Sequence, residues 1–260
     1  MQKAHQGFSL VELSIVLVIL GLLIGGVLTG QNLIRAAEMR AVTTEHKNII
    51  TAVNVFREKY LALPGDMNNA QNFWGIAHAT PATCVTTAST TTATCSGNGD
   101  GQILASTGSN ESFRFWQHLA NAGLYEGVYT GIEGTTGNNE SAIAGTNSPR
   151  SKISNGTWYI RYRSGTVGHT EMFDMPDVNH VRFGAQTTNL EPQSPIFRPE
   201  EAWNIDMKVD DGMPATGSVV TRVRVNCTNA TAAAADSDNF NSVYSLSDTT
   251  LRCALIFKGL

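Results

Sequence analysis

No excess of positive charge runs through this chain. Its 18 Lys and Arg are outnumbered by 22 Asp and Glu, a net charge of −4, so no nucleic-acid-binding surface is implied. Charge of either sign is scarce, at 15% of residues, while Gly, Thr, Ser, Asn and Ala are plentiful; that balance suits an exported, loop-rich surface better than a cytosolic enzyme. Catalytic signatures are missing as well. The histidines, His5, His46, His78, His118, His169 and His180, form no HExxH, and there is no GxSxG, phosphate-binding loop or dinucleotide fingerprint. His169 and Glu171 make a lone pair that reads as ordinary surface. The absence of any CxxC pair leaves a zinc knuckle or a thioredoxin-type site without support.

What is present begins at Phe8. Residues 8–30, FSLVELSIVLVILGLLIGGVLTG, form a near-continuous apolar run whose only charge is Glu12. A carboxylate costs at least about 2.5 kcal/mol near the centre of a membrane helix, and somewhat less towards an end, so Glu12 needs compensation. From Leu13 to Gly30 the 18 uncharged residues make about 27 Å of helix, which Phe8 to Val11 extend to a full span. Gly21, Gly25, Gly26 and Gly30 include two GxxxG spacings that let helices approach closely. They also lower helix propensity by about 1 kcal/mol each, so local unwinding on assembly is open, although no proline lies between Gly21 and Gln31. A secretory signal cleaved near Ala36 and Ala37 is the competing reading of this stretch.

The residues favour another arrangement. Gly7-Phe8-Ser9-Leu10-Val11-Glu12-Leu13 resembles the class III signal of type IV pilins and type II secretion pseudopilins. The resemblance implies that a membrane-embedded prepilin peptidase cuts between Gly7 and Phe8 and N-methylates Phe8, while the apolar run stays in the mature chain. It also implies pairing of Glu12 with the new amine of a neighbouring subunit, a pair valuable only where neither charge meets water. Losing the leader removes Lys3 and leaves a net charge of −5. The implied organisation is a leader at 1–7, a transmembrane and filament-core helix at 8–30, its amphipathic continuation at 31–63 and a globular head at 64–260. LPGD at 63–66, FWG at 73–75, HLANAGL at 118–124 and IDMKVDDG at 205–212 also look like a pattern found in large bacterial prepilin-type proteins.

Beyond the span, Leu33, Ile34, Ala37, Ala41, Val42, Ile49, Val53, Phe56 and Tyr60 keep a spacing of three or four, which predicts one helix of some 50 residues ended by Leu63-Pro64-Gly65-Asp66. The rest predicts an α+β head with an antiparallel sheet and long loops. Short helices are expected over 67–74, 111–122 and 200–209, the last started by Pro199; strands over 157–163, 178–183, 218–226 and 251–257. Phe73 and Trp74 read as core anchors. The Thr-rich stretch 77–94 and residues 131–149 read as loops. Cys84, Cys95, Cys227 and Cys253 all follow the apolar run, and in an oxidising compartment Cys84–Cys95 and Cys227–Cys253 is the simplest of three pairings; four unlinked buried thiols is the alternative.

Two acidic groups are candidate metal sites. Ser96, Asn98, Asp100 and Gln102 place side-chain oxygens at alternate positions as in a calcium loop, with Gly101 at the turn. Two positions depart from that pattern. Ser96 replaces the leading aspartate, and Thr107 stands where a glutamate belongs, a ligand that Glu111 could supply. Asp206, Asp210 and Asp211 sit near a helix end where the dipole disfavours anions, so they need a cation, an arginine or the amides of the following turn. The function implied is a filament subunit whose partners are other pilin subunits, the peptidase and an inner-membrane assembly platform. The alternatives are a pseudopilin or minor pilin and, in a different class, a monomeric anchored adhesin or a tethered hydrolase.

Overall fold

The computed structural model describes residues 9–105, 109–135, 137–163, 165, 168–222 and 225–260. Two compact units divide the chain, Met1–Arg40 and Ala41–Leu260. Helix α1, Leu10–Tyr60, runs without a break through the division, as its apolar spacing predicts. No proline interrupts it, and the hydroxyls of Ser14 and Thr29 bond back to the carbonyls of Val11 and Gly25, at 2.8 and 2.9 Å, so they add no unpaired donor to an apolar surface.

In the larger unit α1 is followed by α2 (Gln71–Trp74), α3 (Pro81–Cys84), α4 (Glu111–Asn121), β1 (Gly156–Arg163), β2 (Val178–Ala185), α5 (Pro199–Val209), β3 (Val219–Thr221) and β4 (Leu255–Lys258). The strands make an antiparallel sheet in the order β1-β2-β4-β3. The architecture is α+β. Trp158, Ile160, Val181, Phe183, Leu255, Phe257 and Val219 share one face by register and alternation, and all are buried. That face meets α1. The His46 ring stacks on Phe257 at 4.3 Å, Trp158 Nε1 donates to Glu45 Oε2 at 2.8 Å, and Val42, Ile49, Val53 and Phe56 are buried.

Several expectations need correction. Phe73 is 55% exposed rather than a core anchor, because its ring sits edge-on against Tyr60 at 5.1 Å at the surface; the Trp74 ring lies inward against Phe56, Tyr60 and His118. The stretch 77–94 holds the turn of helix α3, started by Pro81, whose fixed φ suits a first helical position. Leu33 and Ile34 are exposed, so α1 buries its stripe only from about Val42 onward in the head. Strand β3 is shorter than the expected 218–226, and residues 223 and 224 of that range lie outside the described residues.

Candidate functional site

At the start of α1, two short side chains satisfy amides that a helix end leaves unpaired. Ser9 Oγ accepts from Val11 N at 3.3 Å, and Glu12 Oε2 accepts from Ser9 N at 2.9 Å. Ser9 and Glu12 thus form a capping box, and the carboxylate sits in the first turn, where the helix dipole favours it. The sequence signal for this cap is Ser-x-x-Glu, at Ser9 to Glu12. Around this cap nothing apolar is covered. Leu10, Leu22 and Leu23 are 88%, 72% and 58% exposed, and a Cβ built on Gly21, Gly25, Gly26 or Gly30 would meet nothing within 4 Å. Those glycines therefore have no packing duty inside one subunit. Among the described residues α1 is the one helix long and apolar enough to cross a membrane, with a mean hydropathy of 2.6 in its most apolar window.

Residues 2–28 match the family model of the prokaryotic N-terminal methylation motif. The chain opens with a prepilin-type signal. It is of the kind that type IV pilins and pseudopilins carry, and it ends inside the apolar half of α1. No curated protein and no solved structure matches the chain. Gly7 and Phe8, where the prepilin-type signal is expected to be cut, lie outside the described residues.

In the head behind this signal, the expected calcium loop is organised by a residue outside it. Asp66 accepts from the amides of Gly99, Asp100 and Gly101 at 2.7, 3.1 and 2.9 Å. Glu111, at the start of α4, accepts from Asn98 N at 3.2 Å and Leu104 N at 3.0 Å. Asn98 Nδ2 donates to Asp100 Oδ2, Asp100 Oδ1 accepts from Gln102 N, and Ser96 Oγ lies 3.5 Å from Gln71 N. Thr107 lies outside the described residues. Hydrogen bonds thus link Asn98 to Glu111 and Asp100, and Asp100 to Gln102, with N–H donors on carboxylate oxygens that a cation would use. Burial drives the Glu111 carboxyl up to about 7, with the charges of Asp66 and Asp100 adding to it and the two amide bonds opposing it.

Asp206, Asp210 and Asp211 do come together, with ligand-type oxygens within 4.8 Å of one another. Their partners are protein groups. Asp206 accepts from Tyr244 Oη at 2.8 Å and Gly212 N at 3.3 Å, Asp210 from the amides of Ser218 and Val219, and Asp211 from Met213 N at 2.8 Å and Thr216 Oγ1 at 2.7 Å. Turn amides, one of the three partners expected from the sequence, fill the role. Burial raises Asp206 to about 7. His169, near Glu171, accepts from the amides of Glu171 and Met172 at 3.0 and 3.3 Å and so serves its own turn.

The recurrent motifs of the head share this structural character. Gly65 of LPGD has φ +80°, and a Cβ there would lie 2.4 Å from the Glu111 carbonyl oxygen, so both the backbone shape and the close approach require glycine. Gly65 N donates to His118 Nδ1 at 3.0 Å, which leaves the His118 proton on Nε2, facing Thr94 Oγ1 at 3.1 Å and the Cys95 carbonyl at 3.2 Å. Disulfides join Cys84 to Cys95 and Cys227 to Cys253 in the structure. His118 thereby ties LPGD, α4 and the first disulfide loop into one buried knot.

Proposed function

We propose that this chain is a structural subunit of a type IV pilus-like filament. In this reading a prepilin peptidase cuts between Gly7 and Phe8 and N-methylates Phe8, and the subunit waits in the inner membrane with its N-terminus in the cytoplasm. It then polymerises through α1 on a membrane assembly platform, giving a periplasmic or extracellular filament with the heads outside. The observation that carries the proposal is the prepilin-type signal at 2–28 running into a helix whose apolar surface one subunit leaves uncovered. Water is a poor neighbour for that surface, whereas lipid before assembly and other copies of α1 after it are good ones.

Glu12 supplies direction to the assembly. In the mature chain the amine of Phe8 stands one residue before the Ser9 amide that Glu12 already holds. A charged amine and a carboxylate at that depth gain by pairing across subunits, which turns the cost of Glu12 into a bias for adding a neighbour. The structural role fits a motif family that is structural rather than enzymatic. At least 253 residues follow Gly7, large for a principal pilin, which favours a minor pilin or a type II secretion pseudopilin as the second reading.

Mass spectrometry of the mature N-terminus tests the proposal. N-methyl-Phe8 is the expected result; an intact Met1, or a start near Arg35, would overturn it.

A further inference from the structure

The sheet face turned away from α1 is built from charge. By register and alternation Tyr159, Arg161, Arg163, His180, Arg182, Ile256, Val220 and Arg222 share it. At its centre Glu191, 3% exposed, is bound by three guanidiniums: Arg182, which is fully buried, Arg222 at 3.1 Å and Arg161 at 3.2 Å. Two carboxylates complete the described set at the rim, Glu140 on Arg161 and the 56%-exposed Glu171 on Arg222 at 3.3 Å. Four arginines thus meet three glutamates. The fourth, Arg163 at the end of β1, is partly buried and makes its polar contact with a thioether, Met172 Sδ at 4.0 Å.

Two further facts bear on the missing counter-charge. Arg182 Nη2 is buried without an acceptor, on a side chain 0% exposed, although the same guanidinium holds Glu191 and its Nε donates to His180. The residues outside the described set include no Asp or Glu, so no hidden carboxylate of this chain supplies the balance. A guanidinium fork left with a thioether in a field already positive is matched by an anion with two oxygens.

We propose that Arg163 and Arg222, which reach from the two outer strands to the adjacent residues Met172 and Glu171, form with Arg182 a binding site for an anionic oxygen group, a phosphoryl or a carboxylate carried by a molecule outside the subunit. Glu171 occupies part of the site in its absence and swings off Arg222 when the group binds.

Isothermal titration of the full chain in detergent, with sodium phosphate and separately with sodium acetate at constant ionic strength, tests this. Saturable phosphate uptake is expected. Binding of phosphate alone assigns a phosphoryl group, binding of acetate a carboxylate, and saturable heat from neither probe overturns the site. Arg163→Gln should weaken binding about tenfold, the loss of one charge-assisted hydrogen bond, while its thermal midpoint without the probe equals or exceeds that of the unaltered chain because a like-charge repulsion is relieved. Glu171→Gln, an exposed change, should tighten binding several-fold by freeing Arg222. Unchanged affinity in either variant refutes the proposal.

Discussion

Buried histidines and buried carboxylates oppose one another in this head. Burial depresses His46 to about 4 and His118 to about 3, and pushes His180 well below its ordinary value, with Lys47, Arg114 and Arg182 respectively adding to the effect. Groups depressed in the fold contribute stability that is complete above the unfolded value of 6.5 and is lost as pH falls below it. Glu111 and Asp206, raised to about 7 from 4.5 and 3.8, contribute stability that is complete at low pH and is lost as pH rises through 7. Each uncompensated proton is worth about 1.4 kcal/mol per pH unit. Three histidines outweigh two carboxylates between about pH 5 and 6, and the carboxylates prevail near pH 7. Urea unfolding of the disulfide-intact protein is therefore expected to show maximum stability near pH 6.5. Glu111→Gln should flatten the alkaline limb and move that maximum above pH 7, and an unmoved maximum would show that Glu111 does not carry the alkaline limb. None of this balance was legible in the sequence, where the histidines form no motif; which carboxylates are buried depends on residues such as Leu104 and Tyr244, distant along the chain or brought by another loop.

Helix α1 is one element with two surfaces, and the two should answer substitution differently. Phe56 is 0% exposed and packs at a tilt against Tyr60 at 4.5 Å and, at longer range, against Trp74 and His118. Leu22 is 72% exposed. Phe56→Ala is expected to cost the head about 3–5 kcal/mol, the usual result of emptying a buried aromatic site. Leu22→Ala should leave head unfolding unchanged within about 0.5 kcal/mol, because no contact is lost in the subunit. Denaturant titrations of both variants check this; a Leu22→Ala protein whose head is destabilised like the Phe56→Ala protein would refute the division of labour. The helix itself was readable from spacing and from Leu63-Pro64, as were α4 and α5 from their terminal Gly and Pro. Phe73 was misjudged because hydrophobicity does not say which of two adjacent aromatics faces inward. Helix α3 was missed because a Thr-rich composition argues for loop, while Pro81 and a buried Cys84 held by the disulfide decide otherwise.

At the scale of the whole molecule, the apolar half of α1 and the head make separate demands. In the head, Asp66 and Asp206 find their partners within the same chain, on loop amides and on Tyr244. The apolar half of α1 has no such internal solution. Glu12→Ala is accordingly expected to spare membrane insertion, and to favour it slightly by removing a charge, while reducing incorporation into filaments. Quantifying sheared filaments against membrane-retained subunit checks this, and an unchanged filament yield would sink the charge-pairing role. By itself the sequence determined the prepilin-type signal, the long helix and the α+β class, because these rest on local order: a Gly-Phe junction, one charge in an apolar run, periodicity, and turn residues. Only the tertiary structure decided that Asp66 organises the glycine-rich loop, that the two acidic groups serve backbone amides and that four arginines gather on one sheet face. Those arrangements join residues tens of positions apart, and burial, which sets the energy of a charge, exists only once the chain has folded.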